Sequence, residues 1–489
     1  MPRTLNRREF LGLVGASAAA TALTPIASGS EGPAKDRLPN FIVVFTDDQG
    51  YQDLGCFGSP DIATPCIDRM AAEGMRFTDF HVTAPVCTPS RSSLMTGCYP
   101  QRVCLPAVLF PGSKVGISDK EVTLAQLLKA RGYATACVGK WHLGHLPPFL
   151  PTRHGFDSYL GIPYSNDMSV DPNMAVADDV KWNDGMTLER MRKEKPKGHV
   201  VPLFRGEQII EYPVDQTTLT TRYTEEAIKF ITANKEKPFF LYLPHSMPHI
   251  PLFVSDRHKG KSKRGLYGDV IEEIDWSTGQ ILDTVRKLGL AENTCVLYTS
   301  DNGPWLVMKQ NGGSALPLRE GKGTTYEGGM REPCVMWWPG HIPAGKACSE
   351  LATTLDVLPT FAKLAGAEAP TDRIIDGKDI WPLMAGAEGA KTPHEAFFYY
   401  RGYGLEAVRS GQWKLHLSRK VGGGKDKPAQ TLPVALYDLE ADIGEKNNLA
   451  PAHPDVVQRL EDLAQRCRED IGDSYQGRPG KNRRPCGTA

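Results

Sequence analysis

The sequence predicts an α/β fold: a large, mostly parallel sheet sandwiched by helices, with a smaller C-terminal domain of antiparallel strands and a helix. Apolar runs of strand length alternate with helix-periodic segments between Asn40 and Asp301, the mark of a parallel sheet covered on both faces. Four of these runs end within a few residues in Asp, Lys or His. From about His394, short strand-like runs separated by glycine turns take over. At 489 residues the chain exceeds the usual size of one core. The boundaries read from it are 1–30 for a signal peptide, 31–38 for a linker, 39–390 for the large domain and 391–489 for the small one.

Asn40 to Phe45 is a near-continuous apolar run, as expected of a strand buried on both faces, and it ends in Thr46-Asp47-Asp48-Gln49-Gly50. Pro65 to Gly74 reads as a helix. Cys87 stands at the mouth of the next, with Thr88 as N-cap and Pro89 at the first helical position, where no N–H is missed. Thr123 to Arg131 is helical by spacing, and Tyr133 to Val138 is a second buried strand ending in Gly139-Lys140-Trp141-His142. The amphipathic helix Thr220 to Asn234 precedes the strand Phe239 to Leu243, which leads to His245 and His249. The long helix Tyr267 to Leu288 precedes the strand Thr294 to Thr299, which leads to Ser300-Asp301-Asn302-Gly303. Ligands of open α/β sheets bind outside the carboxyl ends of the strands, so these four ends are expected to share one crevice.

Farther on, Ala396 to Tyr400, Leu405 to Arg409 and Trp413 to Leu417 read as antiparallel hairpins. Leu436 to Leu439 leads into a turn, Pro454 to Glu469 is an amphipathic helix, and residues from Arg483 onward read as a tail. Leu105 to Ser118, Asp167 to Asp215, Pro304 to Leu318 and Val421 to Leu432 read as loops that shape a pocket.

Lysine plus arginine equals aspartate plus glutamate at 57 each, which argues against a nucleic-acid binder, since that needs a basic excess. Any anionic substrate must then be drawn by local charge. Asn6-Arg7-Arg8-Glu9-Phe10-Leu11, followed by a mild apolar run broken at Pro25, resembles a twin-arginine signal. The run is too short and weakly apolar for a stable membrane anchor, so a periplasmic or secreted protein is expected. Eleven cysteines without a Cys-x-x-Cys spacing argue against a structural zinc site; Cys137 and Cys295, inside apolar runs, read as buried thiols.

At its helix mouth, Cys87 sits where the dipole and free N–H groups favour negative charge, with Arg91 close behind. Asp47, Asp48, Asp301 and Asn302 offer three carboxylates and an amide oxygen. Each pair alone is an ordinary turn. Together they suit a hard divalent cation, and calcium better than magnesium, because an all-protein oxygen cage is typical of calcium. His142 with His145, and His245 with His249, have zinc-like spacings, but the prolines around both pairs forbid a regular helix.

Cys87 to Gly97 reads Cys-Thr-Pro-Ser-Arg-Ser-Ser-Leu-Met-Thr-Gly. It resembles the signature of type I sulfatases, Cys-x-Pro-Ser-Arg followed by Thr-Gly, with Met95 where Leu is commoner and Cys98 where a basic residue often follows. Gly139-Lys140-Trp141-His142-Leu143-Gly144 is similar to that family's Gly-Lys-Trp-His-Leu-Gly motif, and Pro248-His249-Ile250-Pro251 to its His-x-Pro segment. Gly321-Lys322-Gly323 resembles the stretch with its leaving-group lysine, and Gly161 to Ser165 a segment that supplies a sulfate-contacting serine.

The resemblance spans Asn40 to Leu449 and implies an alkaline phosphatase-like fold and a sulfuric ester hydrolase. In such enzymes a maturation enzyme oxidises the cysteine to Cα-formylglycine (3-oxoalanine), whose hydrated aldehyde attacks sulfur. Carried over, residue 87, Asp47, Asp48, Asp301 and Asn302 hold the calcium ion. Arg91, Lys140 and Lys322 surround the sulfate, and Lys140, Ser165, His249 and Lys322 contact the substrate. Asp301 helps deprotonate the nucleophile, Lys322 or His249 protonates the departing alcohol, and His142 takes the proton that lets the aldehyde re-form. The expected substrate is a sulfated small molecule or carbohydrate. The basic run Arg192 to Lys197 reads as a solvated loop; Arg257 to Arg264 follows His249 closely enough to guide a polyanionic sugar. Two alternatives fit the same residues: a formylglycine-dependent phosphonate or phosphate ester hydrolase, and a non-catalytic sulfated-glycan binding protein whose Cys87 is never oxidised.

Overall fold

The computed structural model describes residues 37–194, 198–421 and 430–489. The twin-arginine segment lies outside the described residues, as do parts of the Arg192 to Lys197 run and of the Val421 to Leu432 loop. The strand Asn40–Thr46 is buried at every position. It pairs in parallel with Thr294–Ser300 on one side and Phe239–Pro244 on the other, and Ala134–Val138 joins Phe239–Pro244, again in parallel. Strands enclosed by strands at both edges and helices on both faces must be apolar at successive positions, as Phe41 to Phe45 are. The four predicted strand ends therefore lie side by side on one edge of the sheet.

Among the described residues this sheet has twelve strands. Arg331–Trp337 lies antiparallel beside Thr294–Ser300, followed by Met75–His81 and Lys346–Cys348. On the other flank stand Ser158–Gly161, Leu203–Arg205, Gln208–Tyr212 and Val176–Trp182. Met75–His81 and Val176–Trp182 escape a sequence reading because they carry no continuous apolar run: the first includes Arg76, Thr78 and Asp79, and the second exposes Asp178 and Asp179. The stretch read as a loop from Asp167 to Asp215 thus contains three strands and the short helix Leu188–Lys193. Helices Leu219–Ala233 and Leu266–Lys287 pack on each other, as do Leu124–Ala130 and Val357–Leu364. Among the described residues no helix is long and apolar enough to cross a membrane.

In the C-terminal part, Phe397–Arg401, Gly404–Ser410, Trp413–His416 and Ala435–Asp438 form an antiparallel sheet against which Pro454–Asp470 packs. The stretch Leu436 to Leu439, read as leading into a turn, supplies the last of these strands. Nor is the segment from Arg483 a loose tail. Gly487–Thr488 pairs with Val115–Gly116, Arg484 meets Glu121 at 2.7 Å, and Cys486 forms a disulfide with Cys104. Cys137 and Cys295 are free, fully buried thiols.

The buried helix Cys87–Thr96 begins at Cys87 with Val86 as N-cap, ahead of the expected start at Thr88 and Pro89. The Thr88 hydroxyl instead accepts the Leu109 N–H at 3.2 Å, a tertiary bond that takes it away from capping. Pro89 still falls in the first turn, where an N–H has no helical partner.

Strand ends meet backbone to backbone at Gly139, whose φ is 135°, and Gly161. A Cβ on Gly161 would overlap the Gly139 carbonyl oxygen, and one on Gly139 the Pro244 carbonyl oxygen. Gly161→Ala must therefore displace the chain that carries Lys140. We expect a loss of about 1–3 kcal/mol in urea titration, with a fall in activity at denaturant-free conditions. An unchanged midpoint would contradict this packing.

Candidate active site

Each predicted side chain is tied into one buried cluster at the carboxyl edge of the sheet. Lys140 Nζ donates to Asp47 Oδ2 at 2.5 Å and to Ser165 Oγ at 3.0 Å. Ser165 Oγ lies 3.4 Å from His249 Nε2, which stands 3.7 Å from Asp48 Oδ2. Lys322 Nζ donates to that same Asp48 oxygen at 2.7 Å, and the Asn302 amide donates to the other at 2.8 Å. Arg91 meets Asp301 Oδ2 through Nε at 2.9 Å and donates from its other arm to the Lys140 carbonyl at 3.1 Å. Asp48 and His142 sit at φ 64° and 61°. Left-handed backbone costs about 1–2 kcal/mol at a residue with a Cβ, so tertiary contacts impose these conformations.

His142 donates from Nε2 to the Leu109 carbonyl at 2.9 Å, and the Leu109 N–H reaches Thr88 beside Cys87. Because a carbonyl only accepts, the proton is on Nε2, and Nδ1 is left as a buried, unpartnered base. His249 is fixed in the opposite tautomer: Nδ1 donates to Asn166 Oδ1 at 3.0 Å and to the Ile250 carbonyl at 2.6 Å, leaving Nε2 free toward Ser165 and Asp48.

Burial alone would raise the Asp47 carboxyl, but Lys140, His249 and Arg91 outweigh it and hold it below the usual carboxylate range. For Asp301, burial and the Asp47 charge prevail over Arg91 and raise it to about 7. Of these two carboxylates, Asp47 is the more firmly charged and Asp301 the more easily protonated. Burial lowers Lys322, yet Asp48 more than offsets it and the ammonium persists. Burial, reinforced by the Lys140 charge, keeps His142 neutral. The Cys87 thiol is also raised by burial, in spite of Lys140 and Lys322. An unmodified cysteine here is therefore a protonated thiol, against the anionic character its helix-mouth position led us to expect.

The donor set fits a cation. One ligand atom each of Asp47, Cys87 and Asp301 lies within 4.8 Å of the others, and Asp47 Oδ1 and Asn302 Oδ1 are buried without a hydrogen-bond partner. A buried acceptor left unpaired costs about 1–3 kcal/mol, and hard oxygens are the ligands a hard divalent ion takes.

Two further residues complete the cluster. The Asn166 amide donates to the Pro251 carbonyl at 2.9 Å while its oxygen holds His249. The Trp305 ring lies 4.4 Å from the Lys322 ammonium and 5.6 Å from the His249 ring. Neither belongs to a charged strand end, so only adjacency to Ser165 and to Asn302-Gly303-Pro304 could have flagged them.

The Sulfatase family model matches residues 39–367, and that for the C-terminal region of aryl-sulfatase matches residues 392–487. Arylsulfatase A of Homo sapiens is 40% identical over 457 residues, 88% of each chain. N-acetylgalactosamine-6-sulfatase of Mus musculus is 40% identical over 417 residues, 81% of this chain and 74% of its own. Among solved structures, Ps i-CgsB in complex with k-i-k-neocarrahexaose superposes with TM-score 0.73 at 30% identity, covering 88% of this chain and 92% of that one. PsFucS1 sulfatase from Pseudoalteromonas sp. does so with TM-score 0.75 at 28% identity, covering 88% and 90%. The mixed sheet flanked by helices, with its C-terminal antiparallel sheet, is the alkaline phosphatase-like architecture of these neighbours. By sequence and by fold the chain belongs to the sulfatase family and is a sulfuric ester hydrolase.

Proposed function

We propose that the chain removes sulfate from a sulfated carbohydrate, using formylglycine made from Cys87 and a bound calcium ion. The observation that carries this reading is the gathering of Asp47, Asp301 and Cys87 within 4.8 Å, ringed by Lys140, Lys322 and Arg91. Oxidised to formylglycine, residue 87 would supply a hydrated aldehyde as nucleophile, and an ion held by Asp47, Asp48, Asp301 and Asn302 would supply fixed positive charge. A buried, protonated thiol is a poor nucleophile, which supports conversion over direct use of the cysteine.

The chain's own residues then have separable tasks. Lys140, with Ser165 beside it, binds sulfate oxygens; two unit charges 4 Å apart are worth about 4 kcal/mol at an intermediate effective dielectric. Arg91 orients Asp301, the carboxylate placed to take a proton from residue 87. Lys322, against Trp305, meets the charge that develops on the departing oxygen; His249, against the same ring, joins it only once Nε2 carries a proton. His142 offers Nδ1 as the base that resets residue 87. Residues 39–390 form the catalytic domain and 391–489 the small one in this reading. A separate maturation enzyme modifies Cys87, and residues 1–30 direct export to the periplasm or beyond.

A carbohydrate substrate is supported by the neighbour crystallised with k-i-k-neocarrahexaose and by the basic loop after His249. Arg257, Lys259, Lys261 and Lys263 are exposed and have no ion-pair partner among the described residues. That loop follows Phe239–Pro244 and stands on the same edge as the cluster. Arg264 ties it to the Trp305 loop, donating to the Gln310 and Gly312 carbonyls at 2.9 Å each.

Three outcomes follow. Cys87→Ala should abolish sulfate release while leaving circular dichroism and melting intact, and the wild-type Cys87 peptide should be lighter by sulfur-for-oxygen exchange and two hydrogens; retained turnover would refute the nucleophile. Chelation should lower the melting temperature as well as activity, because the orphaned Asp47 and Asn302 oxygens lose their ligand, and calcium should restore both better than magnesium. Replacing Lys259, Lys261 and Lys263 together by Gln should raise KM for a disulfated oligosaccharide about 10-fold at low salt and leave a monosulfated aryl ester unaffected; no rise, or the same fold-rise for both substrates, would exclude that role.

A further inference from the structure

The segment that carries Lys322 is gripped from its far side by the C-terminal sheet. Toward the cluster, Lys322 donates to Asp48, and the Gly323 N–H donates to the Pro85 carbonyl, just ahead of Cys87, at 2.9 Å. Away from it, Arg319 donates to the Glu445 carbonyl at 2.6 Å, Thr325 to Glu406 at 2.7 Å, and the Glu327 N–H to Glu445 Oε2 at 2.7 Å. The Tyr326 ring packs 4.1 Å from the Arg319 guanidinium and 4.6 Å from the His416 ring. Lys414, on Trp413–His416, meets Glu327 Oε1 and Glu445 Oε1 at 2.9 Å each. Lys414, Glu327 and Glu445 are fully buried.

Asp79, His81 and Glu327 nearby have metal-like spacing, with ligand atoms within 4.8 Å of one another. Their charge is already met by protein cations: Arg409 at 2.6 Å and Arg331 at 3.5 Å from Asp79, and Lys414 at 2.9 Å from Glu327. A buried ion network of this kind adds little net stability over apolar packing; what it fixes is geometry. The ties that reach the Lys322 segment end on Arg319, Thr325, Tyr326 and Glu327, on both sides of Lys322.

We propose that Lys414, Glu445 and Arg319 are positioning residues for the reaction, through which the C-terminal sheet sets where the Lys322 ammonium meets the departing oxygen. The inference rests on the role given to Lys322 above. In the folded enzyme none of the three touches the reacting atoms; each acts by holding the arch from Arg319 to Glu327.

The test is a series of sulfate esters of rising leaving-group pKa, from nitrophenyl to alkyl, assayed with wild type, Lys322→Ala, Lys414→Met and Arg319→Gln. A displaced Lys322 matters most when the departing oxygen carries most charge. Both positioning variants should therefore lose about 10- to 100-fold in kcat on poor leaving groups, far less on good ones, with KM within about 2-fold, as Lys322→Ala does more strongly. A loss equal across the series, or no loss, would overturn the inference and assign the network to stability alone. Lys414→Met strands two buried carboxylates, so melting is followed in parallel; Arg319→Gln breaks no buried ion pair and decides alone if Lys414→Met does not fold. A flat series for Lys322→Ala would remove the Lys322 role from the proposed function and overturn the inference with it, an outcome distinct from failure of the positioning variants only.

Discussion

Three carboxylates crowded at buried strand ends repel one another unless each is neutralised, and that requirement organises this chain. Asp47 is met by Lys140, Asp48 by Lys322 and Asp301 by Arg91, each cation arriving from a different stretch of sequence. The protein thus balances its own acids before any ligand enters. A divalent ion added to a balanced set would leave a positive excess in a site of low dielectric, where it counts most. An anionic ester and an oxygen nucleophile both need that excess. A chain of zero net charge can in this way hold a strongly electropositive site without a basic surface.

The same requirement explains which parts of the fold were legible. Strands buried on both faces have to be apolar throughout, so Asn40–Thr46, Phe239–Pro244 and Thr294–Ser300 stand out, and the polar residues just past them mark the site. Arg331–Trp337 is as buried as these, yet it opens with Arg331 and Glu332. Arg331 is accommodated there by Glu327, four residues back, and by Asp79, a partner that only the fold brings near. Asn166 was illegible for the same reason: its bond to His249 spans 83 positions. The start of the Cys87 helix was misplaced because Thr-Pro usually marks a cap, and the contact from Leu109 that diverts Thr88 is tertiary.

Two buried charge systems, one around residue 87 and one around Glu327, share a single stretch of chain. Asp301, Asn302 and Lys322 belong to the first; Glu327 and Arg331 belong to the second. The C-terminal sheet is thus hydrogen-bonded to the same connection that carries Lys322.

That sharing depends on one departure from parallel order. A parallel neighbour of Thr294–Ser300 would have to begin at the opposite edge of the sheet, and the chain would cross over to reach it. Arg331–Trp337 is antiparallel, with Tyr298 opposite Val335 and Val296 opposite Trp337. The connection from Asp301 to Met330 can therefore leave and re-enter at the carboxyl edge, without crossing the sheet. It is long enough to send Lys322 inward to Asp48 and Glu327 toward Lys414. The reversed strand is thus the topological device that lets one connection serve both the site and its support.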